Sequence, residues 1–273
     1  MPPLRRHQLA YLSASGWREV LEAEGIDFQG ASREAPSLSA SPRPGSGRGA
    51  GVRAAERERG AWRLGVQEPQ DEQAVSCFLH WAEHKLPLVV TRQPLPADGA
   101  DPLITLGLSA PPAWGRRLLS LQVPPQAIGW FGEFPELAET LAQLPRSARP
   151  VLQVLADGLA AQGLRAHAYG SSGWQRITGQ RYLHARSDLD LWLPVDGADV
   201  ADAAVALLQR HVPAHLRIDG ELVFPDGAAV AWREWDAWRA GRSRAVLVKR
   251  LHGVSMEQAL PGVSAPLPWA CAA

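Results

Sequence analysis

Residues 165–194 read RAHAYGSSGWQRITGQRYLHARSDLDLWLP, and the end of this stretch decides the fold. Asp188 and Asp190 stand at alternate positions there, with leucines between and after them. Successive side chains of a β-strand point to opposite faces of the sheet, so the leucines pack on one face while both carboxylates project from the other. The alternation predicts a strand over 187–194 that holds two carboxylates side by side.

Two carboxylates this close repel each other unless a cation neutralises them. Mg²⁺ is a hard cation that takes oxygen ligands, and it combines one or two carboxylates with the phosphate oxygens of a substrate. Asp188 and Asp190 are therefore candidate metal ligands. For an isolated Asp-x-Asp pattern the alternative is an exposed strand that carries two aspartates, so the neighbouring sequence has to decide between the two interpretations.

Gly170 and Ser171 supply the neighbouring signal. We expect them after a strand over 165–169 and directly before a helix that begins near Gly173 or Trp174. Glycine lets the backbone approach a phosphate closely, serine donates from its hydroxyl and amide, and a helix N-terminus favours an anion. A Gly-Ser dipeptide alone is common in turns. Together with the later Asp-x-Asp strand, it predicts a phosphate-binding turn beside a metal site.

Gly-Ser followed by a hydrophobic-flanked Asp-x-Asp resembles the nucleotidyltransferase superfamily associated with DNA polymerase beta. Further motifs are Tyr169-Gly-Ser-Ser-Gly-Trp-Gln175, Thr178-Gly-Gln-Arg-Tyr-Leu183, Ser187-Asp-Leu-Asp-Leu191, Ile218-Asp-Gly-Glu-Leu222, Ala229-Val-Ala-Trp-Arg-Glu234, Val246-Leu-Val-Lys249, Arg6-His-Gln-Leu9 and Leu121-Gln-Val-Pro-Pro125. With these motifs the chain resembles the phosphoribosyl-dephospho-coenzyme A transferases of malonate decarboxylase, also called malonate decarboxylase holo-acyl carrier protein synthases. The resemblance covers nearly the whole chain outside one insertion.

The resemblance implies transfer of the 2'-(5''-phosphoribosyl)-3'-dephospho-coenzyme A group from a triphosphate precursor to a serine of the apo acyl carrier subunit. Pyrophosphate is released. Asp188 and Asp190 match the catalytic aspartates of that family, and two Mg²⁺ ions would clamp the attacking and leaving oxygens. The alternative is another nucleotidyltransferase of the same superfamily, which modifies a small molecule or a protein hydroxyl.

Four further residues are site candidates. A third acidic ligand is usual in the superfamily, and Asp219 and Glu221 on the following strand are the candidates, with one or both near the metals. Lys249 ends an apolar run and is a candidate contact for the triphosphate or the coenzyme diphosphate. Gln175 lies in the family motif and is a candidate contact for phosphate or ribose. For Asp219, Glu221 and Lys249 a solvent-facing position is the competing interpretation.

The amino-acid composition disfavours some classes of partner and predicts the cellular compartment. The chain has 28 Lys and Arg against 28 Asp and Glu, so broad attraction to nucleic acid or to an anionic membrane is disfavoured. No stretch reaches the roughly 18 apolar residues of a membrane span. The two cysteines, Cys77 and Cys271, provide neither a disulfide framework nor a cysteine metal site, which predicts a reducing, cytoplasmic location. Arg5 and Arg6 are expected to be an exposed pair before a first strand.

The predicted class is α+β. A small N-terminal α+β module spans about 1–145 and contains a disordered insertion at about 30–60, which is rich in Ser, Pro, Gly and Arg. Prolines bracket the polar stretch 145–150, and this marks a boundary. A nucleotidyltransferase-like catalytic domain with a mixed sheet and flanking helices follows over 150–260.

Overall fold

The computed structural model describes residues 3–23, 72–95 and 102–259. The predicted insertion at about 30–60 lies outside these residues. The described chain forms helices and two separate β-sheets, one built before residue 133 and one after residue 166. The α+β class is therefore confirmed.

The first sheet has five strands in the order β4-β3-β2-β1-β5, and every neighbouring pair is antiparallel. Two helices, α1 and α2, join its core through Trp17, Phe78 and Trp81, which are all buried. Apolar residues at helical spacing along α2 explain this packing. The bounds are β1 Leu9–Leu12, α1 Ala14–Ala23, α2 Glu72–Glu83, β2 Leu88–Val90, β3 Ile104–Ser109, β4 Leu118–Val123 and β5 Ile128–Gly132.

The second sheet has six strands in the order β11-β10-β9-β8-β7-β6. It is mixed, because β7 and β8 run parallel while the other neighbours are antiparallel. Helix α6 connects β7 to β8, as a parallel pair requires. The bounds are α3 Leu137–Thr140, α4 Arg149–Ala160, β6 His167–Tyr169, α5 Gly170–Thr178, β7 Leu189–Pro194, α6 Ala198–Arg210, β8 Ile218–Val223, β9 Ala229–Ala231, α7 Trp232–Arg239, β10 Val246–Lys249 and β11 Val254–Glu257.

The predicted alternation of β7 is confirmed. Leu189, Leu191 and Leu193 are fully buried in the core that α4, α6 and α7 complete, while Asp190 projects from the other face. Two local predictions were wrong. Strand β7 begins at Leu189, so Asp188 directly precedes it, and α5 begins at Gly170 rather than near Gly173.

The two halves of the chain share a hydrophobic core. Phe134, Trp174 and Tyr182 belong to the cluster built around the first sheet, although Trp174 lies on α5 of the second half. The Tyr182 hydroxyl donates to the carbonyl oxygen of Ser109 at 2.7 Å. The helix and loop between the Gly-Ser turn and β7 are therefore packed against the N-terminal half.

Candidate functional site

Three aspartates gather where β7 and β8 begin. Asp190 of β7 lies opposite Asp219 of the parallel strand β8, and Asp188 directly precedes β7. Burial, together with the negative charges of Asp219 and Asp188, raises the pKa of Asp190 to about 6 against the opposing charge of Arg217. The cluster therefore places three carboxylates together, and Arg217 offsets only part of their negative charge.

Gly170 sets the approach of α5 to this cluster. Its φ is +58°, a left-handed conformation that glycine adopts without steric cost. A Cβ atom at this position would overlap Oδ2 of Asp190 and lie 3.0 Å from its Cγ. Only glycine therefore lets the first turn of α5, with Ser171, lie directly beside the carboxylate.

Asp219 is held in place and remains accessible. Its Oδ1 accepts from its neighbour's amide, Gly220 N, at 3.0 Å, and its Oδ2 accepts from Arg217 Nη2 at 3.0 Å. The Asp219 side chain is 35% exposed. Gly220 allows the close pairing of β7 and β8, because a Cβ there would overlap the carbonyl oxygen of Leu191.

Glu221 lies two residues further along β8 in a different environment. Its Oε1 accepts from Lys249 Nζ at 2.7 Å, and its Oε2 lies 2.8 Å from His7 Nε2 and 3.6 Å from Arg6 Nη2. Burial alone raises the pKa of Glu221, but its hydrogen bonds with His7 and Lys249 and the charge of Arg6 outweigh burial and lower it to about 2. Glu221 is 5% exposed and bonded to basic side chains, whereas Asp219 is 35% exposed and lies opposite Asp190, so Asp219 is the better-placed candidate for a third carboxylate.

Sequence reasoning missed the contribution of the N-terminal residues. Arg5 and Arg6 were predicted to be exposed, and this was wrong, since both are partly buried. Arg5 pairs with Glu133, and Arg6 lies beside Glu221. His7 is buried and has a left-handed φ of +62°. The motif Arg6-His-Gln was a signal in the sequence, but nothing in it pointed to residues more than 200 positions later.

Gln175 and Lys249 have protein partners. The Gln175 Oε1 atom accepts from the amides of Tyr182 at 3.0 Å and Leu183 at 2.9 Å, which holds the loop between α5 and Asp188. Lys249 binds Glu221 rather than standing alone. Gln175 therefore holds the loop before Asp188, and Lys249 holds the carboxylate of Glu221.

Within residues 3–23, 72–95 and 102–259, no three His, Cys, Asp or Glu side chains are arranged to hold a metal ion by themselves. The donors available at the cluster are all carboxylate oxygens, which suit Mg²⁺. Over the same residues, no helix has both the length and the apolar character needed to span a membrane.

Two models of one protein family match consecutive parts of the chain, and together they cover most of it. The phosphoribosyl-dephospho-CoA transferase MdcG N-terminal domain matches residues 5–134, and the C-terminal domain of the same family matches residues 136–259. No solved structure matches the chain.

Curated relatives agree with this match. A phosphoribosyl-dephospho-CoA transferase of Xanthomonas euvesicatoria is 41% identical over 172 residues, covering 62% of this chain and 77% of the relative. One from Xanthomonas campestris is 37% identical over 71% of this chain and 86% of the relative. One from Bradyrhizobium diazoefficiens is 35% identical over 63% of this chain and 76% of the relative. The chain belongs to the phosphoribosyl-dephospho-CoA transferase family and is a transferase enzyme with its two-domain architecture.

Proposed function

We propose that this family member transfers the 2'-(5''-phosphoribosyl)-3'-dephospho-coenzyme A group from its triphosphate precursor to a serine of the apo acyl carrier subunit of malonate decarboxylase. The serine oxygen attacks the α-phosphorus and forms a phosphodiester. The bond from the α-phosphorus to the bridging oxygen breaks, pyrophosphate leaves, and the serine proton passes to water. The names of the family and of its relatives support the group that is transferred.

The single observation that carries the proposal is the contact between Gly170 and Asp190. A left-handed glycine without room for a Cβ brings the first turn of α5 against a carboxylate of raised pKa. Backbone amides and the Ser171 hydroxyl are then available to a phosphate, while the carboxylates are available to a cation bound to that phosphate. A phosphorylated substrate with a bound cation would use both features at once, and this supports the proposal.

The residues fit two Mg²⁺ ions, which Asp188, Asp190 and Asp219 would hold together with substrate oxygens. The raised pKa of Asp190 supports this fit, because a divalent cation relieves the repulsion among three clustered carboxylates. When bound, Mg²⁺ neutralises charge on the transferring phosphate and the leaving pyrophosphate.

The protein's own residues then bind and orient the reactants. Gly170 and Ser171 bind the phosphate at the start of α5. Gln175 keeps the loop before Asp188 in place through the two amides that it accepts from. The Asp219 carboxylate accepts hydrogen bonds from Gly220 N and Arg217, and these bonds hold it in one orientation beside the phosphate site. Holding reactants in line is the main contribution a protein makes to phosphoryl transfer.

The test is an intact-mass measurement on the apo acyl carrier subunit. After incubation with the full-length enzyme, the triphosphate precursor and Mg²⁺, the subunit should gain the mass of one phosphoribosyl-dephospho-coenzyme A group on a serine. The Asp190→Asn variant should give no gain in the same time. Attachment of a simple nucleotide instead, with no reaction of the precursor, would support the alternative nucleotidyltransferase and refute this proposal.

A further inference from the structure

Two cationic side chains and a histidine from distant parts of the chain surround Glu221. Lys249 comes from β10, whereas Arg6 and His7 come from the segment before β1 in the N-terminal half. The Glu221 side chain is only 5% exposed, so its charge is compensated almost entirely by these groups. The N-terminal half thus supplies part of the face of the second sheet.

The positive charge around Glu221 exceeds the negative charge of its carboxylate. Lys249 and Arg6 carry two positive charges against one carboxylate. Arg6 is 24% exposed and Lys249 is 33% exposed, so solvent reaches both side chains. Arg6 Nε is buried and has no hydrogen-bond partner among the described residues. An arginine with spare donors beside an ammonium group is suited to an oxyanion with several oxygens.

This cationic group lies next to the aspartate cluster. Glu221 follows Asp219 by two positions on β8 and lies opposite Trp192, the residue two after Asp190 on β7. Two residues along a strand correspond to about 6.6 Å, and residues two apart share a face. Tyr169 is adjacent to both groups, because it lies opposite Asp190 on β6 and its ring centroid is 4.3 Å from that of His7. Glu221 and Asp219 therefore lie on the same face of the second sheet, two residues apart along β8.

We propose that Arg6 and Lys249, arranged around Glu221, form the subsite for the pyrophosphate that leaves the triphosphate precursor. The inference rests on the proposed function for the identity of the substrate. It adds that the N-terminal half contributes directly to the catalytic site. The carboxylate of Glu221 sets the distance between the two cations, and the phosphates bridge from these cations to the metal-binding aspartates.

His7 is a positioning residue in this subsite. Its left-handed φ of +62° is strained for a residue with a side chain, and such strain persists where the surrounding structure requires it. Its Nε2 holds Oε2 of Glu221, which leaves Oε1 for Lys249. Without His7, Oε2 of Glu221 keeps only the more distant Arg6, so the carboxylate that positions Lys249 is held less firmly.

The direct test is calorimetric titration of the full chain with inorganic pyrophosphate in the presence of Mg²⁺. Arg6→Gln and Lys249→Gln should each raise the Kd for pyrophosphate about tenfold, the effect expected for one charge-assisted hydrogen bond. Arg165→Gln is the matched control, because Arg165 is 69% exposed and pairs with Glu136 away from this face. It removes the same charge and should leave the Kd unchanged.

His7 is tested with two variants. His7→Ala should weaken pyrophosphate binding, and His7→Gln should restore most of it, because the glutamine amide can still donate to Glu221. In steady-state assays His7→Ala should raise KM for the precursor more than it lowers kcat. A residue with a purely structural role would lower thermal stability in both variants and leave the Kd for pyrophosphate unchanged.

The outcomes separate the subsite from the proposed function. If the carrier subunit is modified as expected but Arg6→Gln and Lys249→Gln bind pyrophosphate like the unmodified enzyme, the subsite is wrong and the function stands. If the precursor is not transferred but both variants lose pyrophosphate affinity, the polyphosphate subsite stands and the assigned reaction is wrong. Failure of the unmodified chain to bind pyrophosphate with Mg²⁺ at millimolar concentrations would overturn the subsite.

Discussion

Asp190 and Glu221 are acidic residues on neighbouring strands of the same sheet. Burial taken alone would raise the pKa of both carboxyl groups. Their pKa values nevertheless differ widely, at about 6 for Asp190 and about 2 for Glu221. The reason is the charge of their neighbours. Asp190 faces other carboxylates, whereas Glu221 faces a histidine, a lysine and an arginine. The comparison distinguishes a carboxylate left without compensation from one that the fold has compensated.

The two residues make opposite contributions to stability. The folded-state pKa of Asp190 is raised, so the fold favours the protonated carboxyl. The stability that this group contributes is therefore fully present below pH 3.8 and is lost as the pH rises through about 6. The folded-state pKa of Glu221 is lowered, so its contribution is present above pH 4.5 and is lost as the pH falls through about 2. At neutral pH, Asp190 weakens the metal-free fold and Glu221 strengthens it.

Asp190→Asn should reduce activity more than any other substitution considered below. The change removes a charge that the proposed metal site needs and keeps the side-chain shape, so transfer should fall by at least about a hundredfold. The metal-free protein should become more stable at pH 7 by about 1 kcal/mol, after allowance for solvent screening. Precursor turnover and denaturant unfolding measure the two effects. Retained turnover would break the link between uncompensated charge and catalysis.

A slightly smaller effect on activity is expected for Gly170→Ala. The added Cβ would overlap Oδ2 of Asp190, so turnover should fall by about a hundredfold. Gly179→Ala is the matched control, because Gly179 has a φ of +69° but no atom within 4 Å of an added Cβ. Both variants carry similar backbone strain of about 1 kcal/mol. Equal losses of turnover in the two variants would show that strain matters rather than the contact with Asp190.

Glu221→Gln tests the compensated side of the comparison. Removing the charge should destabilise the protein by about 3 kcal/mol at pH 7, from the lowered pKa of this buried group. The difference between Glu221→Gln and the unmodified protein should shrink as the pH falls from 4.5 toward 2. Urea unfolding across this range measures it. Asp219→Asn, at a more exposed carboxylate, should change stability far less, and equal losses would contradict the contrast.

The smallest expected effect is that of Gln175→Ala. Its Oε1 accepts from two loop amides, so its loss should cost about 1 to 2 kcal/mol of stability and loosen the loop before Asp188. Turnover should fall by about tenfold, because a phosphoryl-transfer site depends on position. Hydrogen exchange at Tyr182 and Leu183 should increase. Unchanged exchange with reduced turnover would favour direct contact between Gln175 and the substrate.

Local pattern was enough to predict the aspartate cluster. The leucines of β7 are buried at alternate positions, which left Asp190 on the opposite face as expected from side-chain alternation. The glycine at position 170 was also anticipated, but for its approach to phosphate. Its close approach to the Asp190 carboxylate, which leaves no room for a Cβ, depends on the packing of α5 against β7. The sequence pattern alone contains no information on that packing.

The compensation of Glu221 was beyond sequence reasoning. Its partners His7 and Lys249 are separated from it by 214 and 28 residues, and Asp219 and Glu221 follow the same alternating pattern along β8. Their different roles arise from which side chains reach them across the sheet and from the N-terminal half. Charge pairing over such separations is set by tertiary packing.

The effect of Mg²⁺ on the unfolding of three proteins tests whether the aspartate cluster is the metal site. The unmodified chain and Glu221→Gln should both be stabilised as Mg²⁺ rises, by about 2.7 kcal/mol at a hundredfold excess over Kd. Asp190→Asn should lose that response. A full Mg²⁺ response in Asp190→Asn, or its loss in Glu221→Gln, would contradict the assignment of the uncompensated aspartates as the metal site.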